Sequence, residues 1–214
     1  MEHEHEHDHQ EMFTAEFWDE RYGSADRIWS GNPNPHLVRV ASELTPGTAL
    51  DVGSGEGADV IWLARHGWRV TGADISEVAL KRAAEAAGLD LADRITWQQA
   101  DIFTWVPEKA AYDLVTAHFV HLPWEDLQAL HGRLAGAVKP GGTLLIVGHH
   151  PSDIEAIQRP AHVAALMNTA ERLATTLDAK DWEIEATNPG RQFTDPDGNA
   201  VTLHDAVVRA VKKQ

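Results

Sequence analysis

The stretch that decides the fold is Thr48-Ala49-Leu50-Asp51-Val52-Gly53-Ser54-Gly55-Glu56-Gly57-Ala58. Its first five residues form a short buried strand. Glycines then alternate at 53, 55 and 57, where the backbone can take positive φ and approach a ligand without Cβ interference. Ala58 to His66 follows as a helix with Val60, Ile61, Leu63 and Ala64 inward, and the free N–H groups of its first turn suit a negative or polar group. Gly67 ends that helix, and Trp68 to Ala73 is a second strand closed by Asp74. Strand, glycine loop, helix and strand in this order read as one βαβ unit of a parallel sheet.

The same rhythm continues outward. Ser76 caps a helix running to Ala87, with Gly88 as its stop. Ile95 to Gln99 is a third strand ending near Asp101, and Tyr112 to Ala117 a fourth. A helix from about Glu125 to Val138 leads through Lys139-Pro140-Gly141-Gly142 into a fifth strand, Thr143 to Val147. The class expected is α/β, a doubly wound parallel sheet with helices on both faces.

Composition narrows the function classes. The 214 residues suit one domain, and 43% hydrophobic with 24% charged residues is an ordinary globular balance. Without cysteine, disulfides, thiolate metal sites and cysteine nucleophiles are excluded together. Eighteen basic against 33 acidic residues give a formal charge of −15. Lys212-Lys213 is the one basic cluster, so neither nucleic acid nor an anionic membrane is the expected partner. No apolar run reaches about 18 residues and the acidic start lacks a signal-peptide pattern, so a cytoplasmic protein is expected.

The glycine loop alone leaves its ligand open. Gly53, Gly55 and Ala58 also satisfy the dinucleotide pattern G-x-G-x-x-G/A, and Asp74 lies where an acid would meet a ribose diol, which makes an NAD-dependent oxidoreductase the rival reading. Two further acids separate the readings. Asp51 sits inside the first strand, where a dinucleotide fold keeps an apolar residue, and suits a ligand bearing an ammonium group. Asp101 is followed by Ile102, an acceptor beside an apolar wall that can read an exocyclic adenine amine. Three carboxylates at successive strand tips describe an amino acid, a ribose and an adenine in one molecule.

Asp51-Val52-Gly53-Ser54-Gly55-Glu56-Gly57, Asp74, Asp101-Ile102, Tyr112-Asp113-Leu114-Val115 and Lys139-Pro140-Gly141-Gly142, in this order, resemble a class I S-adenosylmethionine-dependent methyltransferase. The likeness covers residues 45 to 150 well. Trp18, Tyr22, Trp29 and Asn32-Pro33 resemble the front of the thiopurine and tellurite-resistance methyltransferase group. The resemblance implies a Rossmann-like, seven-stranded, mostly parallel sheet whose last strand is antiparallel, with Trp182 to Thr187 and Val201 to Val208 as strands six and seven. It implies that Asp51 and Gly53 hold the methionyl part and Asp74 the ribose hydroxyls, that Ile75 and Ile102 flank the adenine, and that Asp101 binds its amine. Ser54, Gly55, Gly57 and Trp29 join that cofactor set, and His118 borders the sulfonium. Ser54 stands where relatives often carry cysteine.

The expected activity is methyl transfer to a small-molecule acceptor, a thiol, amine, hydroxyl or chalcogenide, by a monomer or homodimer. His118 and His121 after strand four, and His149 and His150 after strand five, are the candidates for proton removal, with His118 and His149 foremost. The same four, with Asp153, are the set for a core metal. No G-x-S-x-G elbow or P-loop lysine supports a hydrolase or phosphoryl-transfer reading.

The flanks are read separately. In residues 1–11, His3, His5, His7 and His9 alternate with carboxylates, a tract able to chelate a divalent transition metal such as Ni²⁺, Zn²⁺ or Cu²⁺ and otherwise a mobile tail. A non-enzymatic metal-binding or sensor protein using this tail is the third reading. Residues 12–44 are expected as an aromatic-rich helical segment, a lid over the ligand or plain packing, and 45–214 as the main domain. Within that domain a helix is expected from about Pro160 to Leu177, in the region expected to choose the acceptor.

Overall fold

The computed structural model describes residues 12–156, 161–194 and 198–214, which fall into two compact units, one ending at Trp105 and the other beginning at Val106. The histidine tract at 3, 5, 7 and 9 lies outside the described residues.

In the first unit, α1 (Ala15–Gly23) and α2 (Pro35–Ala41) precede β1 (Thr48–Val52), α3 (Ala58–Arg65), β2 (Arg69–Asp74), α4 (Glu77–Ala87), a short 3₁₀ turn and β3 (Ile95–Gln99). The strands are parallel in the order β3-β2-β1, with Asp51 opposite Gly72 and Asp74 opposite Gln99. Capping follows the sequence: Thr14 accepts from Phe17 N–H, Pro35 follows Asn34, and Ser76 Oγ accepts from Ala79 N–H at the start of α4. Trp97 of β3 explains two glycines. A Cβ on Gly72 would stand 2.7 Å from its ring, as would one on Gly57. The last glycine of the loop thus lets α3 and the sheet close on an indole.

The second unit holds β4 (Tyr112–His118), α5 (Trp124–Ala137), β5 (Val138–His149), the short helices α6 (Asp153–Ala156), α7 (Ala161–Ala164) and α8 (Ala170–Ala174), β6 (Trp182–Thr187), β7 (Gly190–Thr194) and β8 (Ala200–Lys212). β4 and β5 are parallel, and β8 runs antiparallel between β5 and β6. Lys139-Pro140-Gly141-Gly142 is a bulge within β5. The register passes from Tyr112 opposite Val138 to Leu114 opposite Thr143, and Lys139 Nζ donates to Asp113 Oδ2 at 2.9 Å.

The mixed α/β class agrees with expectation, and two details differ. Eight strands are present among the described residues where seven were expected, because the stretch after Asn188-Pro189-Gly190, between expected strands six and seven, itself pairs as a strand. The chain continues as β7 along β8, with Gly190 opposite His204, while Pro189 offers its carbonyl to Asp205 N–H at 3.1 Å. The helix expected over Pro160–Leu177 is broken, since Thr169 Oγ1 accepts from Arg172 N–H and starts α8 afresh. No helix among the described residues is long and apolar enough to cross a membrane.

Gly57 combines φ of +80° with two close neighbours, the Trp97 ring and Ala83 Cβ at 2.8 Å from an added Cβ. Gly57→Ala is expected to destabilise the protein by about 2–4 kcal/mol, from left-handed strain and overpacking together, read by chemical denaturation.

Candidate active site

Asp74 organises the first unit's site. The carboxylate is 7% exposed; Oδ2 accepts from Gly55 N–H at 2.8 Å and Oδ1 from Ser76 N–H at 2.9 Å. Burial pushes its pKa up, and the N–H groups of Ser76 and Gly55 oppose that rise. Gly53 and Ser54 both donate their N–H to Ala73 carbonyl, so the loop folds back over the tip of β2. Asp51 is 3% exposed on β1, and Ser54 Oγ is buried with no hydrogen-bond partner among the described residues. Ile75 is half-buried beside Asp74. Asp101 is exposed and caps its own turn, with Oδ1 accepting from Phe103 N–H at 2.9 Å, beside a half-buried Ile102. Asp51, the glycines, Asp74 and Asp101 thus stand at the ends of three neighbouring strands.

A segment from Phe13 to Asn34 is fastened across this loop. Glu56 Oε2 accepts from Ile28 N–H at 3.2 Å and Trp29 N–H at 3.1 Å, and Asp59 Oδ1 from Asn34 N–H at 2.6 Å. Asp19 Oδ1 accepts from Ser76 Oγ at 2.5 Å and Val78 N–H at 3.2 Å, which ties α1 to the start of α4. Trp29, half exposed at 49%, donates Nε1–H to Tyr22 Oη at 3.0 Å. A Cβ on Gly55 would stand 2.9 Å from that same phenol oxygen. Burial and the Asp74 charge push the Tyr22 phenol above its ordinary range, so it stays protonated. Glu56 and Tyr22 were not singled out for these roles in the sequence. The signal available for Glu56 was an acid placed among glycines that needed none.

The second unit gathers the histidines. His118, His121 and His149 are half-buried, and His121 stacks on His149 at 5.2 Å between centroids, 14° from parallel. Phe119, at φ +55°, sets its ring 4.4 Å from that of His149 and donates its N–H to Val147 carbonyl at 2.6 Å. A left-handed non-glycine residue at a strand tip is a costly conformation that sites retain, and nothing in the sequence announced it. His150 and Asp153 are turned to other work. Ser152 Oγ meets His150 Nδ1 at 2.9 Å and His204 Nδ1 at 3.3 Å, while fully buried Asp153 accepts from His204 N–H at 2.9 Å. Among the described residues, His118, His121, His149, His150 and Asp153 do not form a group with metal-ligand spacing.

His121 and His149 line a pocket in this unit with Leu127, Ile146, Leu166 and Leu173, and His131 of α5 lines it too. His131 is 1% exposed, and burial holds its pKa down at about 4 against the ordinary 6.5. Between those values the unfolded chain binds the extra proton, so this group's contribution to stability is complete above 6.5 and is lost as pH falls towards 4. On denaturation at about pH 7.5 and about pH 4.5, wild type should lose roughly 2 kcal/mol more than His131→Leu. Equal losses in the two proteins would contradict this assignment.

Residues 49–142 match the family described as a methyltransferase domain. Over 129 residues the chain is 36% identical to an uncharacterized methyltransferase of Mycobacterium tuberculosis, covering 57% of this chain and 61% of that one. Over 135 residues it is 32% identical to a probable thiol methyltransferase of Arabidopsis thaliana, covering 60% of this chain and 59% of the relative. The match thus spans about three fifths of the length of these relatives. Among solved structures, the N-methyltransferase NodS of Bradyrhizobium japonicum, in complex with S-adenosyl-L-homocysteine, superposes with a TM-score of 0.70 at 19% identity, over 91% of this chain and 96% of that one. The acid at the end of β1, the glycine loop and the acids at the ends of β2 and β3 all fall inside the segment that matches the methyltransferase-domain family.

Proposed function

We propose that the protein is an S-adenosylmethionine-dependent methyltransferase acting on a small-molecule acceptor. The observation that carries this reading is the buried Asp74 carboxylate, held at the tip of β2 by the glycine loop's own N–H and by that of Ser76. The chemistry of this donor set fits the cofactor. Each Asp74 oxygen keeps a lone pair for a ribose hydroxyl, Asp51 is a buried carboxyl group suited to an ammonium group, and Ser54 Oγ is a buried polar atom in want of a partner. Ile75 and Ile102 are proposed as the adenine walls, Asp101 as the acceptor for its amine, and Trp29 as part of the cover over the loop.

S-adenosylmethionine supplies an activated methyl group on a positively charged sulfur. The chain's own part is to hold, orient and dehydrate. In-line alignment supplies much of the acceleration in such a transfer. Glu56 and Asp19 hold the 13–34 segment against the loop, and Tyr22 stays protonated there, adding no negative charge. In the second unit His118 and His149 are proposed to take the proton of a protic acceptor, with Phe119 packing the His149 ring. The aliphatic walls of the pocket lined by His121 and His149 suit a small acceptor. The likeness to a protein named as a thiol methyltransferase supports small acceptors, sulfur ones among them.

Isothermal titration with S-adenosylhomocysteine tests the reading. Wild type is expected to bind it, and Asp74→Asn to bind it more weakly by about 1–3 kcal/mol through loss of a charged acceptor. Binding of NADH with none of S-adenosylhomocysteine would replace this function with the oxidoreductase one. His118→Ala or His149→Ala should lower turnover more than it weakens S-adenosylhomocysteine binding, because their proposed role is proton removal.

A further inference from the structure

One side chain in the second unit is not used by the function above. Helix α5 turns Leu127, Leu130, Leu134 and Ala137 inward, and His131 stands in that apolar row. A buried imidazole among leucines needs a hydrogen-bond partner. His131 Nδ1 lies 3.0 Å from Thr176 Oγ1. The one proton of that hydroxyl is already committed, since Thr176 Oγ1 donates to Leu173 carbonyl at 2.8 Å. Toward the ring, Thr176 can therefore only accept. The proton of the neutral imidazole must sit on Nδ1, and Nε2 is left as a lone pair.

Two features hold the ring in that state. Arg172 lies over the Trp124 ring at 4.1 Å, which joins α8, just ahead of Thr176, to the start of α5. Burial keeps the imidazole uncharged well below neutral pH. His131 also lines the same pocket as His121 and His149, and with Nδ1 spent on Thr176 the atom it can offer to pocket contents is Nε2. A fixed lone pair beside aliphatic walls favours a donor opposite it and disfavours a negative charge at that point, because an anion set against Nε2 would meet an acceptor instead of a proton.

We propose that His131 is a specificity-determining residue: its Nε2 accepts a hydrogen bond from a neutral protic acceptor, R–X–H, and discriminates against an acceptor that arrives as an anion. Thr176 is the positioning residue that sets the tautomer. His131 holds the X–H proton without removing it, which leaves proton removal to the histidines already named. The word acceptor rests on the methyl-transfer reading; the preference for a donor over an anion rests on the pocket alone.

The full-length protein, labelled with ¹⁵N-histidine, tests this at neutral pH with ethanethiol as the neutral probe and thiocyanate as the anionic one. In wild type the His131 Nε2 resonance should lie in the unprotonated range and move saturably with ethanethiol, and not with thiocyanate. In His131→Leu, ethanethiol should bind about tenfold more weakly, the worth of one hydrogen bond, with thiocyanate unchanged or tighter. Thr176→Val leaves the ring in place but frees the proton to move to Nε2, and should weaken ethanethiol in the same direction, so the idea stays testable if the leucine variant fails to fold. A protonated Nε2 in wild type, no response to ethanethiol, or equal responses to both probes would overturn it. S-adenosylhomocysteine titrated into the same samples separates the two readings. Its failure to bind sinks the methyl-transfer function, whereas its binding beside a silent His131 sinks this proposal alone.

Discussion

A single buried carboxylate governs the first unit. Asp74 ends β2, where the chain must leave the sheet and start α4, and it lies beside the loop that leaves β1 for α3. By accepting one N–H from each of these departures, Gly55 and Ser76, it ties two βα turns to one point. A carboxyl group so deeply placed is tolerated because its oxygens are met by oriented backbone N–H groups, which oppose the rise in pKa that burial causes. The glycine conformations at 53, 55 and 57 follow from that convergence, since the backbone must turn sharply to bring Gly55 N–H onto Asp74. Any ligand that uses Asp74 meets a loop already shaped around it.

Carboxylates do the same service a second time, at longer range. Glu56, Asp59 and Asp19 each accept backbone N–H groups across sequence separations of 25 residues or more. Three of the donors, Ile28, Trp29 and Asn34, lie in a stretch without regular helix or strand between α1 and α2. There the N–H groups have no ladder to join and need side-chain acceptors if they are to be buried. An acidic chain with a net charge of −15 thus places some of its excess where it is structural. The aromatic segment ahead of β1 is held to the loop by these bonds, whether it serves as cover or as packing.

The second unit is organised by histidine. His131 is a neutral acceptor in an apolar helix face, His121 and His149 are stacked partners in a pocket, and His150 and His204 flank Ser152. The same side chain takes these different roles because its two nitrogens can be donor or acceptor according to what faces them. Spacing along the chain drew attention to His118, His121, His149 and His150, since they follow strands. It passed over His131, which sits at an inward helical position and looks like a core residue until Thr176, 45 residues away, is seen to orient it.

Sequence by itself determined the alternation of strands and helices, the three acids at strand tips and the glycine loop. Each rests on local physics: burial periodicity, the dihedral freedom of glycine, and capping by Ser76 and Gly88. It missed the strand that follows Asn188-Pro189-Gly190 and read the stretch before Leu177 as one helix, because β7 exists only by pairing with β8, and Thr169 chose to cap where a continuous helix was equally compatible with local propensity. Tertiary structure alone decided that Glu56 fastens the 28–29 backbone, that Trp97 fills the space of two glycines, that Phe119 takes a left-handed turn, and which nitrogen of His131 is left as a lone pair. These are matters of which distant groups meet, and a hydrogen bond or a ring contact between residues tens of positions apart leaves no period in the chain to read.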